Sequence, residues 1–235
     1  TVNILADLDF ENMILDKGFD LTRGQKGHTQ VHVNGNNHTI KNLYIESNVS
    51  EHESSTALFT EAKTVKNLTL DNIHVSMQSL VYEYGERAAI LVAHLASNAE
   101  GIVDSVTIKN SSVRGGKYTG AFVGYTYGSV INCTLENSVV IGQSQCGAIG
   151  GFMATYGGTG ARRINNNTIK ATKVDIANSL ESVYLGKLVG TVLADSVDVD
   201  EISHEMKNNK IENCTFGADA KEIYGRTSGN VKIAY

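Results

Sequence analysis

Apolar and polar positions alternate along this chain in a short motif that returns many times. The copies read IKNLYIES from Ile40, VKNLTLDNIHV from Val65, VDSVTIKNSSV from Val103, VINCTLENSVV from Val130, INNNTIKATKV from Ile164 and IENCTF from Ile211. Alternation with a period of two marks a half-buried β-strand. Aligned on their first residues, the copies give apolar columns: Ile40, Val65, Val103, Val130, Ile164 and Ile211, then Ile45, Leu70, Ile108, Leu135, Ile169 and Phe216. Between them runs a polar column of Asn42, Asn67, Ser105, Asn132, Asn166 and Asn213. A second runs Ser47, Asn72, Asn110 and Asn137 and is broken by Ala171 and Ala218. Strands that repeat as columns are the coils of a solenoid, stacked about 4.8 Å apart. The apolar columns then form its core, and the Asn columns form ladders in which each amide donates to the next.

A second apolar block accompanies each copy: TALF (56–59), AILV (89–92), GAFVG (120–124), GAIGG (147–151), GKLVG (186–190) and IYG (223–225). It reads as a second strand, and the small residues at its ends suit tight bends at a corner. Unequal spacing of the copies predicts insertions at 77–87, 153–163 and 191–209, the last acidic and able to hold a helical turn. Such insertions leave a solenoid at its corners and shape its binding face. No linker or composition break divides the chain. The prediction is one all-β domain over 1–235, a single-stranded right-handed parallel β-helix of about six to seven coils with loop insertions. Residues 1–39 form an N-terminal coil or cap, 40–190 the regular coils, and 191–235 the last insertion and C-terminal coil.

Composition narrows the function classes. The 235 residues include 23 Gly and no Pro, which fits a chain whose segments nearly all lie in ladders, where proline would remove a donor. Net charge is −5 without a Lys/Arg run, so no nucleic-acid footprint is present. No apolar stretch is long enough for a transmembrane helix. Three cysteines, Cys133, Cys146 and Cys214, are an odd number without CxxC spacing and read as small buried hydrophobes. The seven histidines are scattered, so neither a metal nor a cofactor is expected, although the acidic stretch 195–201 offers oxygen ligands of the type calcium takes.

The segments ILADLDF (4–10), VNGNNHTIKNLYI (33–45), TALF (56–59), TVKNLTL (64–70), TGAFVG (119–124) and SVINCTL (129–135) resemble the secreted bacterial β-helix proteins with GLUG-type repeats. The resemblance covers roughly residues 4–170, and the C-terminal third only through IENCTF. Asn34 stands where those proteins usually carry Asp, Asn37 where they carry Gly, and TALFTE lacks the usual leading Gly. Many such proteins belong to gut Bacteroidetes and are grouped as adhesins. The resemblance therefore implies an extracellular or outer-membrane surface-attached protein, with any export or lipoprotein segment removed. It supplies no catalytic residues.

Candidate chemistry is sparse. Asn37, Asn48, Asn67, Asn110, Asn132, Asn166 and Asn213 stand in N-x-S/T, but adjacent Asn and Thr columns of a repeat produce that pattern without glycosylation. A polysaccharide hydrolase or lyase needs paired carboxylates. The candidates are Asp7, Asp9, Asp71, Asp104, Glu136 and Glu212. A column Glu46–Asp71–Lys109–Glu136–Lys170 reads as a solvated face of mixed charge. Aromatics give the positive hint of recognition: Tyr118, Tyr125 and Tyr127 flank the first Gly block, Tyr82 and Tyr84 sit in the first insertion, and Tyr156 sits in the second with Arg162 and Arg163. Tyr with Arg is a recognition composition. Tyr82, Tyr84, Tyr125, Tyr127, Tyr156, Arg162 and Arg163 are thus the candidate ligand-binding residues. The expected function is a non-enzymatic cell-surface or secreted binding or adhesion module for glycans or a host or matrix surface. The alternatives are a polysaccharide-degrading enzyme on a β-helix scaffold and a structural spacer that displays another domain.

Overall fold

The computed structural model describes residues 1–21, 31–49, 55–79, 86–95, 100–156, 160–177, 182–195, 197–198 and 200–235. Among them the chain is all-β, with 28 short strands and no helix. The strands stack into sheets of 17, 5 and 6, and each pairs in parallel with its equivalent one coil away. Val103 lies beside Val130, Thr107 beside Thr134, Ser112 beside Val139, Tyr118 beside Gln145 and Val123 beside Gly150. This is a parallel β-helix.

Each coil crosses the long sheet three times, and the two turns between those crossings are made by left-handed residues. Asn67, Asn132, Asn166 and Asn208 hold φ of 53–58° at the first turn, with Ser105 at 56°. Asn42, Asn72, Asn110, Asn137 and Asn213 hold 48–59° at the second, with Ala171 at 48°. Asn tolerates this region better than other residues with a Cβ. Freed from the ladder of strands, its amide builds one of its own. Asn166 Nδ2 donates to Asn132 Oδ1 at 3.1 Å and Asn208 Nδ2 to Asn166 Oδ1 at 3.2 Å. On the other corner Asn72 donates to Asn42 at 2.9 Å and Asn137 to Asn110 at 2.7 Å.

The middle copies of the motif stack as expected, Val65 on Val103 on Val130 on Ile164. The first and last are displaced by one crossing. Ile40 lies beside Leu70, and it is Val33 that meets Val65. Ile211 lies beside Ile169 rather than Ile164. The cause is that both corners carry nearly the same local pattern, an Asn in the turn between apolar residues. A single copy fits either one. The displacement moves Asn213 to the second corner, and with it Cys214, which therefore does not share a column with Cys133. Cys133 and Cys146 are buried, whereas Cys214 is half-buried.

Corrected registers reveal a charged column that the first alignment blurred. Along the outer face of the second crossing stand Asp9, Lys41, Asp71, Lys109, Glu136, Lys170 and Glu212, alternating in sign without a break. Lys41 meets Asp9 at 3.2 Å, Lys109 meets Asp71 at 3.3 Å and Lys170 meets Glu136 at 3.1 Å. Glu46 belongs elsewhere, beside Ser76.

The apolar columns fill one continuous core, from Ile4 to Met206. The insertions are shorter than the spacing implied, because their ends are absorbed into strands. Thr64–Ser79 and Arg87–Ala89 take up the ends of 77–87. Gly150–Tyr156 pairs with Val189–Asp195 out to Tyr156 beside Asp195. His204–Glu205 returns to the long sheet beside Arg162 and Arg163, so the described residues of 191–209 include strand and one hydrogen-bonded turn, Glu201 N to the Asp198 carbonyl at 3.0 Å, but no helix.

Candidate functional site

The second apolar block is a bend between two strands, not a strand itself. In the coil of residues 118–126, Tyr118–Gly120 belongs to the five-stranded sheet and Val123–Thr126 to the six-stranded sheet. Ala121 and Phe122 between them are fully buried. Just after the bend stand Thr60, Ala93, Gly124, Gly151, Gly190 and Gly225 on successive coils, and two of the glycines show why the later ones are small. A Cβ on Gly151 would lie 2.2 Å from the Thr119 nitrogen, and one on Gly190 would lie 2.4 Å from the Cys146 nitrogen. On these two coils a Cβ would overlap the facing backbone, and glycine lets the two backbones touch. Side chains on either side of the contact then converge on one strip that runs along the solenoid axis.

From the five-stranded sheet the strip takes Arg87, Tyr118, Gln145 and Tyr184, in register on successive coils. From the six-stranded sheet it takes Glu61, His94, Tyr125, Phe152, Thr191 and Arg226. The rings of Tyr125 and Phe152 stack at 4.8 Å with a 6° interplanar angle. Tyr118 meets both edge-on, at 5.5 and 5.2 Å. Tyr127 packs edge-on against Tyr125, and their hydroxyls are 3.0 Å apart. Arg87 places its guanidinium 5.1 Å from the Tyr125 ring centroid, and Arg226 lies 4.8 Å from that of Tyr184. His94 closes one end, edge-on to Tyr125 and with Nδ1 3.7 Å from Glu61. Aromatic pairs contribute roughly 0.5–1.5 kcal/mol each beyond burial, so the half-buried rings are held in place before any ligand arrives. Such a surface presents ring edges and guanidinium groups, which can pack on apolar groups and pair with anions.

Two thiols and one Ser–His pair are sequestered, whereas a second pair, Ser112 Oγ with His74 Nδ1 at 2.8 Å, is half-buried and has His74 Nε2 at 2.8 Å from Asn72 Oδ1. Burial pushes the Cys133 and Cys146 thiols up to about 12, leaving them protonated at neutral pH. Ser203 Oγ lies 2.9 Å from His204 Nδ1, the contact a nucleophile and its base would make. Both residues are fully buried, however, and Ser203 Oγ also bonds the Lys232 carbonyl at 3.1 Å. Desolvation lowers His204 to about 4. That pair is part of the interior.

No family model matches the chain, and no curated protein matches it. It is similar in structure to a putative immunoglobulin A1 protease from Bacteroides ovatus, with a TM-score of 0.56 and 16% sequence identity. The match covers 99% of this chain and 76% of that one. What the two share is the fold. At that identity the likeness extends no further.

Of the residues singled out from sequence, Tyr125 and Tyr127 lie in the strip, together with Tyr118. Tyr82 and Tyr84 fall outside the described residues. Tyr156 ends the strand Gly150–Tyr156, away from the ring cluster. Arg162 and Arg163 are on the long sheet, in the strand Arg162–Asn165, so the structure does not join them to the tyrosines of the strip. Arg162 is only 2% exposed, with Nη1 donating to the Gly160 carbonyl at 2.9 Å. It is an interior residue, not a surface anchor. Arg87, His94 and Phe152 were missed, although the signal was present. Extended by two or three residues, the blocks read RAAILVAH, YTGAFVGY, QCGAIGGF and YLGKLVGT, which aligns both margins of the strip.

Proposed function

We propose that this chain is a non-enzymatic binding module that acts outside the cell or on its outer surface, in the manner of the adhesins its sequence resembles. The aromatic strip at the glycine corner is its ligand face. The observation that carries this is the Tyr125–Phe152 stack with Tyr118, Tyr127 and Arg87 packed around it, all partly exposed at the surface. Rigid rings beside a guanidinium are the groups from which binding hot spots are built. A glycan array probed with the intact chain tests the reading. Binding is expected, and the double variant Tyr118→Ala/Tyr125→Ala abolishes it. Undiminished binding by that variant would remove the strip as the site.

The name of the Bacteroides ovatus protein raises a protease reading. Against it stand the protonated Cys133 and Cys146 thiols and the buried Ser203–His204 pair; for it stands the half-buried Ser112–His74 contact at 2.8 Å, which Asn72 Oδ1 braces at 2.8 Å. Incubated with immunoglobulin A1, the protein should leave the heavy chain intact, and a discrete cleavage product would reverse this preference.

A further inference from the structure

Charge on the strip differs from the ion-paired lysines of the sheets. Lys41, Lys109, Lys170, Lys173, Lys187 and Lys207 each have a carboxylate within 3.3 Å. Arg87 and Arg226 instead rest on the rings of Tyr125 and Tyr184, and among the described residues neither has a carboxylate at ion-pair distance. On a chain of net charge −5 they are ordered cations without an anion. They stand four coils apart, or about 19 Å at the usual spacing of about 4.8 Å. Between them lie Gln145 and Thr191, which are buried and form the floor of the strip. Beyond Arg226 the strip meets a cavity of about 410 Å³, lined among others by Lys221, Glu222, Tyr224 and Tyr235. Glu222 is already taken by Lys187 at 2.8 Å.

We infer that the strip binds a linear acidic polysaccharide laid along the solenoid axis, its carboxylates paired with Arg87 and Arg226. This rests on the binding reading above and names its ligand class. Guanidinium pairs with carboxylate through two parallel hydrogen bonds, and sugar rings pack on the aromatic edges between. A peptide fits less well. The strands Val92–Leu95, Val123–Thr126, Gly150–Tyr156 and Val189–Asp195 are paired on both sides, so no free edge along them offers backbone bonds to an added strand.

Calorimetric titration with polygalacturonate, alginate and hyaluronan, against fully methyl-esterified polygalacturonate and polyglutamate, tests this. At least one acidic polysaccharide should bind, weakening as salt is raised, and at least tenfold more tightly than the esterified polymer or polyglutamate. Arg87→Gln/Arg226→Gln should lower that affinity by about tenfold or more and flatten the salt dependence, with an unchanged melting temperature as the folding control. Equal binding of the esterified polymer overturns the charge assignment and leaves the binding reading intact. Preference for polyglutamate overturns the glycan class. Failure of every acidic polysaccharide overturns the inference, while the array then decides the reading on which it rests.

Discussion

On the long sheet Asp71 is held by Lys109 at 3.3 Å and by the Asn110 amide at 2.8 Å, and Glu136 and Asp9 are held in similar ways. At the glycine corner the outward column reads Glu61, His94, Tyr125, Phe152, Thr191 and Arg226, with no such repetition. The two faces share the same stacking geometry and use it differently. Where successive coils place complementary groups in one column, the column satisfies itself and has little left for a partner. Where the column is mixed, rings and cations are ordered by their neighbours but not consumed by them. The first face specifies register; the second is the one we propose as a recognition surface.

The comparison can be broken hardest at the corner that creates the second face. Gly151→Ala sets a Cβ against the Thr119 backbone, and a loss of roughly 3 kcal/mol is expected in chemical denaturation. A loss below about 0.5 kcal/mol would mean that the two strands do not need to touch.

Beneath the long sheet, pH provides a second probe. His204 has a folded pKa of about 4 against an ordinary 6.5, because burial disfavours its charged form. The unfolded chain therefore binds the proton first. The stability is complete above pH 6.5 and is lost as pH falls toward 4, by roughly 3 kcal/mol. Asp9 stays charged throughout that window, since the Glu11 backbone N–H, then Asn42 and Lys41, hold it below the ordinary carboxylate range. Unfolding measured at steps of pH separates the interior from the ladder, and a flat profile would contradict the burial of His204.

Ala171 is a gap in the second Asn column, at φ 48° between coils that carry Asn137 and Asn213. Ala171→Asn relieves the left-handed penalty and extends the amide ladder, with an expected gain of about 1 kcal/mol in thermal or urea unfolding. A destabilised variant would show that the column is not additive. The smallest effect belongs to the charge ladder. Lys109→Ala should cost about 0.5 kcal/mol or less, because both partners are partly solvated. A cost of 2 kcal/mol or more, on the order of a buried pair, would place this face among the structural determinants of stability.

How far the sequence could be read varied along the chain. Val65, Val103, Val130 and Ile164 are flanked by complete motifs, and their stacking was legible. Ile40 and Ile211 begin copies that fit either corner, and local pattern placed them one crossing away from their true partners. Tyr125 and Tyr127 were visible as candidates because tyrosines flanked a glycine block. Phe152 and Arg87 passed unnoticed because each lies just outside the block that was aligned. Arg162 was misjudged because a basic residue in an apparent insertion reads as exposed, when the strand Arg162–Asn165 carries it inside.

Alternation, the Asn columns and the absence of proline determined by themselves that this chain is a stacked β solenoid, because a period of two and a repeating turn residue are local properties. Which crossing stacks on which was decided only in three dimensions, since one coil's neighbour lies some 27 residues away, as Val103 from Val130, and equivalent corners look alike locally. The strip is also a tertiary product. It exists because small residues, Ala93, Gly124 and Gly151, let two strands approach closely, and that contact brings Arg87, Tyr118, Tyr125 and Phe152 together from three different coils.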